Sequence, residues 1–294
     1  MQNPALTIFD DQLLEIINTD FEIKVLDDQC NFSEGPVWNK EGYYLFSDIP
    51  ENLIYKISES VSKQIYLSPS GCNLADTSLL SEQTGSNGLA YDQHNNLLIC
   101  QHGNGAVAKY DGTNMESLIS DYNNKRFNSP NDIIVAKDGT VFFSDPPYGL
   151  KNQQLNEESA QSIAAFYYYR NGELKILCDQ YQYPNGVCLS PDEKSLYCCS
   201  TKENEKFVLE YDTETLQLKG VVARENSDGI KCDKNNNLYL STGDGILILN
   251  AEGKRLGLIS LDTIPANHCW GGSSGNDLLV TARNNIFLIK NLQQ

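Results

Sequence analysis

The sequence repeats one hairpin pattern six times, and this repeat limits the fold more than any other feature. Each unit has a polar or glycine start, an apolar stretch, a turn rich in Gly or Asn, and a second β-rich run. The units begin at residues 34, 87, 131, 185, 228 and 271, so successive steps are 53, 44, 54, 43 and 43 residues. A period of about 45 residues is typical of one four-stranded propeller blade. The pattern therefore predicts an all-β chain folded as a six-bladed β-propeller.

The propeller is expected to span residues 21–294 as a single domain, preceded by an N-terminal extension over residues 1–20. Within the extension, residues 5–18 carry apolar side chains at helical spacing. This spacing predicts a short amphipathic helix, with one face formed by Leu6, Phe9, Leu13 and Ile17.

A propeller must also close its ring, because an open sheet edge invites aggregation. The strand-like segment 21–26 precedes the first unit and has no hairpin partner of its own. We expect it to complete the blade formed by the C-terminal residues 278–290.

Charge and composition exclude several classes of function. The chain has 22 Lys and Arg against 39 Asp and Glu, a net charge of −17, whereas nucleic acids and anionic membranes require a basic surface. No apolar run is long enough to span a membrane, and the first basic residue, Lys24, comes too late for a signal peptide. A cytoplasmic location is therefore expected. The nine cysteines contain no C-x-x-C pair and are expected to be reduced.

Five of the six units open with an acidic or amide residue, while the sixth, at Gly271, offers only backbone. Strand starts at the same phase of each blade meet at one end of the central channel, so these side chains are expected to form a ring. Carboxylate and amide oxygens suit Ca²⁺, Mg²⁺ or Mn²⁺. Asn and Asp also cap turns without binding anything, but five at matched phase favour a cation site: Glu34, Asn87, Asn131, Asn185 and Asp228.

From about residue 21 to 290 the chain resembles the SMP-30/gluconolactonase/LRE (regucalcin-like) family, and within it the gluconolactonase-like branch. The resemblance implies a six-bladed propeller, a catalytic divalent cation in the channel, usually Ca²⁺ with Mg²⁺, Mn²⁺ and Zn²⁺ open, and hydrolysis of a small-molecule lactone. The motifs that carry it are F-S-E-G-P-V-W (32–38), C-Q-H-G-N (100–104), K-R-F-N-S-P-N-D (125–132), F-S-D-P-P-Y-G-L (143–150), Y-P-N-G-V-C-L-S-P-D-E-K-S-L-Y (183–197), S-D-G-I (227–230) and G-G…V-T-A-R (271–283).

Matched motif by motif, the resemblance implies a metal site of Glu34, Asn131, Asn185 and Asp228, in which Asn131 is a fourth ligand or a substrate contact. It also implies that Asp228 is the general acid and base. A carboxylate beside a dication has a lowered pKa and is a poor base, so a water activated by the cation remains the alternative. Asn87 is expected to support the site without binding the cation.

Four further residues are expected to contact the substrate or to support the site. The run P-A-N-H-C-W-G-G departs from the family pattern at His268, which leaves the identity of the substrate open. The four residues are His102, Arg126, Tyr148 and His268.

Three functions remain compatible with these residues. The first is a lactonase of the gluconolactonase type. The second keeps the metal site but acts on another lactone or on a phosphotriester, because fold does not determine chemistry. The third is a non-catalytic propeller that binds Ca²⁺ or a protein partner. The oligomeric state is left open by all three.

Overall fold

The repeated hairpins fold into six antiparallel sheets arranged around a channel, as expected for a six-bladed β-propeller. In the computed structural model, which describes residues 3–155, 160–202 and 204–293, these residues form 27 strands, β1 to β27. No helix of the described residues is long and apolar enough to cross a membrane. All nine cysteines are free thiols.

The strands follow the order of the repeats, so each of blades I to IV is one continuous segment of chain. Two strands precede the first blade: β1 (Leu6–Ile8) and β2 (Glu22–Asp27). Blade I contains β3 (Ser33–Asn39), β4 (Tyr43–Asp48), β5 (Leu53–Ile57) and β6 (Gln64–Leu67). Blade II contains β7 (Ser86–Tyr91), β8 (Leu97–Gln101), β9 (Ala106–Tyr110) and β10 (Met115–Ile119).

A small hairpin separates the second and third blades: β11 (Asp121–Tyr122) and β12 (Lys125–Arg126). Blade III contains β13 (Ile133–Val135), β14 (Val141–Asp145), β15 (Ala165–Arg170) and β16 (Glu173–Cys178). Blade IV contains β17 (Pro184–Leu189), β18 (Ser195–Ser200), β19 (Val208–Asp212) and β20 (Leu218–Ala223). Two 3₁₀ turns lie outside the blades: Asp11–Glu15 and Lys151–Gln153.

The last two blades take their outermost strands from the N-terminus. Blade V contains β21 (Ile230–Cys232), β22 (Leu238–Thr242), β23 (Gly245–Leu249) and β24 (Arg255–Ile259), followed by β1 at its edge. Blade VI contains β25 (Asn267–Gly271), β26 (Asp277–Ala282) and β27 (Asn285–Lys290), and β2 completes it.

The predicted closure of the ring is confirmed. Strand β2 pairs antiparallel with β27, with Glu22 opposite Lys290 at one end and Asp27 opposite Ile286 at the other. This pairing joins the N-terminal and C-terminal parts of the chain in one sheet. The edge of β27 is thereby covered, as the aggregation argument requires.

The hydrophobic core lies between blades rather than within one layer, because every blade is covered on both faces. Strand β4 shows how: Tyr43 and Leu45 pack toward blade II, whereas Tyr44 and Phe46 pack toward blade VI. Alternate residues of a strand point to opposite faces, so a strand buried on both faces reads as a continuous apolar run.

The amphipathic helix expected over residues 5–18 is not formed. Strand β1 pairs with β24, with Leu6 opposite Ile259, and the 3₁₀ turn Asp11–Glu15 follows. Isolated helices of this length are marginal, whereas the free edge of β24 offers backbone partners. Leu13 and Ile17 are still fully buried in the cluster between blades V and VI.

Candidate active site

One residue from each blade lies at the start of the innermost strand, and together these six form what we call the mouth ring. In blades I, II and IV the residue is the second of its strand, and in blades III and V it lies two residues before the strand. Asp228 is partly exposed and the other five are at least 97% buried. The six are Glu34, Asn87, Asn131, Asn185, Asp228 and Asn267.

The sixth member corrects the sequence alignment. The last unit was expected to enter the ring at Gly271, but Gly271 ends β25 and Asn267 begins it. The signal for Asn267 was present in the run P-A-N, which resembles P-N-G around Asn185 and S-P-N around Asn131. Asn267 is 1% exposed, and its side chain lies near Glu34, where it favours the charged form of the carboxyl group.

Close contact between adjacent blades explains why glycine follows four of the ring residues. A Cβ added to Gly35 would lie 1.9 Å from the backbone oxygen of Asn87, and Gly35 has a φ of 55°. A Cβ at Gly88 would lie 2.5 Å from the backbone oxygen of Asn131, to which the Gly88 N–H donates a 2.7 Å hydrogen bond. Glycine therefore permits adjacent blades to approach closely, and the N–H groups of Gly88 and Gly186 donate to the backbone oxygen of the ring residue in the next blade.

The mouth ring opens into a pocket of about 280 Å³, which we call the mouth pocket. Five ring residues line it together with Tyr148, so six of the residues singled out from the sequence meet in one place. The residues that the sequence reasoning missed are Phe32, Ile49, Gln83, Gln153, Thr201 and Arg283.

Two surface grooves, of about 600 and 430 Å³, are larger, but in each of them an acidic side chain is engaged by a basic one. In the first, Glu59 accepts hydrogen bonds from Lys24 and Lys290. In the second, Glu225 forms a two-point contact with Arg255, at 2.7 and 2.8 Å.

The surroundings of the two carboxyl groups of the ring disfavour their charged forms. Burial and the neighbouring charge of Asp228 raise the pKa of Glu34 well above its usual value, although the Gly35 N–H donates to Glu34 Oε2 at 2.7 Å. Burial likewise raises the pKa of Asp228 to about 7, opposed by a hydrogen bond from Asn185 and by the charge of Arg283. A cation between these groups would favour both charged forms.

The uncharged donors of the ring also suit a cation. Asn185 Oδ1 is buried and has no hydrogen-bond partner among the described residues, while its Nδ2 donates to Tyr148 Oη at 3.4 Å. A buried carbonyl oxygen without a donor is costly unless a ligand satisfies it. Glu34, Asn131, Asn185 and Asp228 could thus hold a hard cation through oxygen. The described residues contain no cluster of three or more His, Cys, Asp or Glu that could hold a metal ion, so a cation in the mouth pocket would depend on amide oxygens beside its two carboxylates.

Tyr148 lies on a loop that the residues before it hold rigidly. The carboxylate of Asp145 accepts hydrogen bonds from the backbone N–H groups of Asn128 and Ser129, at 2.9 and 2.8 Å. Ser129 Oγ donates to the Pro146 carbonyl at 2.5 Å. Tyr148 Oη then hydrogen-bonds to Thr201 Oγ1, so its ring forms a fixed wall of the mouth pocket.

His102 and Arg126 do not line the mouth pocket. His102 is fully buried, with Nε2 3.3 Å from Asn87 Nδ2 and Nδ1 3.1 Å from the Gln83 carbonyl oxygen. Arg126 Nη2 donates to the carbonyls of His102 and Gly103, at 3.1 and 3.0 Å. Arg126 thus contacts backbone where the sequence suggested a substrate contact.

His268 lies outside the pocket lining, fully buried, with Nδ1 2.9 Å from Ser241 Oγ. Burial and the charge of Lys231 lower the pKa of His268 to about 3. Lys231 itself forms an ion pair with Asp132, at 3.3 Å, that links blades III and V. The sequence reasoning overlooked this pair, although a lysine in an innermost strand was a visible signal.

Known proteins resemble this chain along most of its length. The SMP-30/Gluconolactonase/LRE-like region model matches residues 32–284. The gluconolactonase of Zymomonas mobilis is 32% identical over 306 aligned positions, which cover 97% of this chain and 85% of that protein. Lactonase drp35 of Staphylococcus epidermidis is 24% identical, over 87% of this chain and 77% of its own.

Solved structures agree with the fold. A gluconolactonase from Xanthomonas campestris superposes with a TM-score of 0.83 at 26% identity, covering 98% of this chain and 94% of that one. A calcium-binding regucalcin from Agrobacterium tumefaciens superposes with a TM-score of 0.73 over 93% of this chain and 95% of that one. At 17% identity, the second likeness shows the fold alone.

Proposed function

Because the chain belongs to the SMP-30/gluconolactonase/LRE-like family, we propose that it is a hydrolase that opens a sugar-type lactone with the help of one divalent cation. The observation that carries the proposal is the meeting of Glu34 and Asp228 with the unpartnered oxygen of Asn185 in one pocket. Lactonases and gluconolactonases among the relatives support the choice of a lactone as substrate.

Glu34, Asn131, Asn185 and Asp228 would hold the cation. When bound, a divalent cation supplies Lewis-acid polarisation of the carbonyl under attack. The all-oxygen donor set favours Ca²⁺, with Mg²⁺, Mn²⁺ and Zn²⁺ as the alternatives to test. The nearby Asn267 side chain favours the charged form of Glu34, which is the form that a cation would require.

Asp228 is the proposed general base and acid. Its carboxylate reaches the mouth pocket and accepts a proton from the attacking water, whose oxygen bonds to the carbonyl carbon. The bond between that carbon and the ring oxygen then breaks, and Asp228 returns the proton to the departing alkoxide. Asn185 favours the charged form of the Asp228 carboxylate, and Asn185 Nδ2 donates a hydrogen bond to Tyr148 Oη.

The proposal is tested by proton release from glucono-1,5-lactone after the protein has been stripped with EDTA. Ca²⁺, Mg²⁺, Mn²⁺ and Zn²⁺ are added separately, and the spontaneous rate is subtracted. We expect hydrolysis to be lost on stripping and restored by one of these cations. Cation binding without hydrolysis of any lactone would contradict the proposal and favour a binding propeller.

A further inference from the structure

Asn87 differs from the other ring amides in the way that its side chain is held. It is 2% exposed and lines the mouth pocket. Its Oδ1 is buried and has no hydrogen-bond partner among the described residues, whereas its Nδ2 lies 3.3 Å from His102 Nε2. Asn87 therefore presents an unused acceptor whose orientation depends on one histidine.

The contacts of His102 determine which way the amide of Asn87 points. The Gln83 carbonyl oxygen, 3.1 Å from His102 Nδ1, can only accept, so Nδ1 carries the ring proton. Burial lowers the pKa of His102 to about 4, so the ring is neutral and Nε2 has a free lone pair. Nε2 therefore accepts a hydrogen bond from Asn87 Nδ2. If the Asn87 amide were flipped, its Oδ1 would face Nε2, and neither atom could donate.

The position of His102 is itself fixed from two sides. Arg126 donates to its carbonyl oxygen at 3.1 Å. Gly149, next to Tyr148, packs so closely that an added Cβ would lie 2.9 Å from His102 Cβ. These contacts fix the backbone and Cβ of His102, from which the imidazole extends to Asn87.

Blade II lies opposite blade V in a six-bladed ring, so Asn87 faces Asp228 across the mouth pocket. Asn185 interacts with Asp228, but within the part of the chain that the structure describes no hydrogen bond joins the Asn87 side chain to a carboxylate. A molecule held at Asp228 that extends across the pocket would bring its far side to Asn87 Oδ1. An amide oxygen at that place favours a hydrogen-bond donor such as a hydroxyl group.

We propose that His102 is a positioning residue that aims Asn87 Oδ1 at a hydroxyl group of the substrate, and that the pair selects polyhydroxylated lactones over unsubstituted ones. The inference rests on the proposed function and adds to it the pair of residues that recognises a hydroxyl group of the lactone. A site built to hydrogen-bond a hydroxyl rejects the analogue that lacks it, because its own polar group is left unpaired.

The test compares ligands that carry several hydroxyl groups with ligands that carry one or none. D-gluconate and 5-hydroxypentanoate are titrated into the Ca²⁺-loaded protein, and glucono-1,5-lactone and δ-valerolactone are used as substrates. For His102→Leu we expect about tenfold weaker gluconate binding and a similar rise in KM for gluconolactone, since a lost hydrogen bond is worth about that factor. The two hydroxyl-poor compounds should be affected less than about twofold.

His102→Gln should restore selectivity, because its amide offers a donor to Gln83 and an acceptor to Asn87. Asn87→Ala should reproduce the loss with His102 intact, which covers a failure of His102→Leu to fold. His94→Gln, on an exposed hairpin turn, is the matched control and should change nothing.

Each contrary result has a distinct meaning. Equal loss for both ligands, or a parallel loss of Ca²⁺ affinity in His102→Leu, would overturn the inference, and the second would make Asn87 a cation ligand. A wild-type protein that opens neither lactone would contradict the proposed function, while the binding titrations would still decide the role of His102.

Discussion

At the scale of single residues, Asp228 is the side chain on which the proposed chemistry depends. Replacing it by Asn keeps the shape and removes the base. We expect Asp228→Asn to lower kcat by about 10²–10⁴-fold, the usual contribution of a positioned base. Proton release measures the rate, and circular dichroism checks the fold. A folded variant with normal kcat would instead leave an activated water as the base.

The raised pKa of Asp228 also predicts how stability depends on pH. In cation-free protein the native carboxyl keeps its proton up to a pKa of about 7, whereas the unfolded chain releases it near pH 3.9. Between these two pKa values the native protein binds more protons than the unfolded chain. Its free energy of unfolding therefore falls as pH rises, by at most about 1.4 kcal/mol per pH unit for one group.

Asp228→Asn removes this dependence. In EDTA, we expect the variant to gain stability relative to wild type as pH rises from about 5 to about 8. Urea denaturation at several pH values measures the difference in unfolding free energy between variant and wild type. Burial also raises the pKa of Asp145 to about 7, but this group responds equally in both proteins and cancels from the difference. With saturating Ca²⁺ the gain should disappear. A pH-independent difference in EDTA would show that Asp228 is charged throughout.

At the scale of elements, the start of β3 should tolerate no side chain beyond glycine at position 35. Gly35→Ala would place a Cβ 1.9 Å from the Asn87 backbone oxygen, at a φ of 55°. We expect a loss of about 3 kcal/mol or more in unfolding free energy, together with weaker cation binding because Glu34 and Asn87 move apart. Thermal unfolding and Ca²⁺ titration measure the two effects.

Gly42 provides the matched control. It also has a positive φ, 95°, but an added Cβ would meet nothing within 4 Å. Gly42→Ala should cost only about 1–2 kcal/mol from backbone strain and leave cation affinity unchanged. Equal effects of the two substitutions would mean that contact between blades does not set the ring.

At the scale of the whole molecule, ring closure depends on β2. Removing residues 1–28 would expose the full edge of β27 in blade VI, and we expect aggregation and loss of the cooperative transition. Removing residues 1–9 deletes only β1, the fifth strand of blade V, and should leave a folded protein of lower melting temperature. Size-exclusion chromatography with light scattering separates these results, and a well-behaved 1–28 deletion would show that closure is dispensable.

The sequence alone determined the number of blades, the closing strand and five of the six mouth-ring residues. These features depend on local patterns: strand periodicity, turn residues and a repeat of fixed phase. The same reasoning misplaced the start of the sixth unit. The sequence around Gly271 looks like the start of a repeat, but in the structure strand β25 begins to pair with β26 at Asn267.

Only the tertiary structure decided what the remaining polar residues contact. The sequence treated His102 and His268 alike, yet His102 lies at hydrogen-bonding distance from Asn87 of the mouth pocket, whereas His268 Nδ1 lies next to Ser241 Oγ, outside the pocket lining. Asp132 and Lys231 are 99 positions apart and meet across the channel. Likewise, the apolar N-terminal segment formed a strand because β24 offered it an edge. Such outcomes depend on contacts between residues on different strands, and a local sequence pattern carries no information about which of these residues will be neighbours.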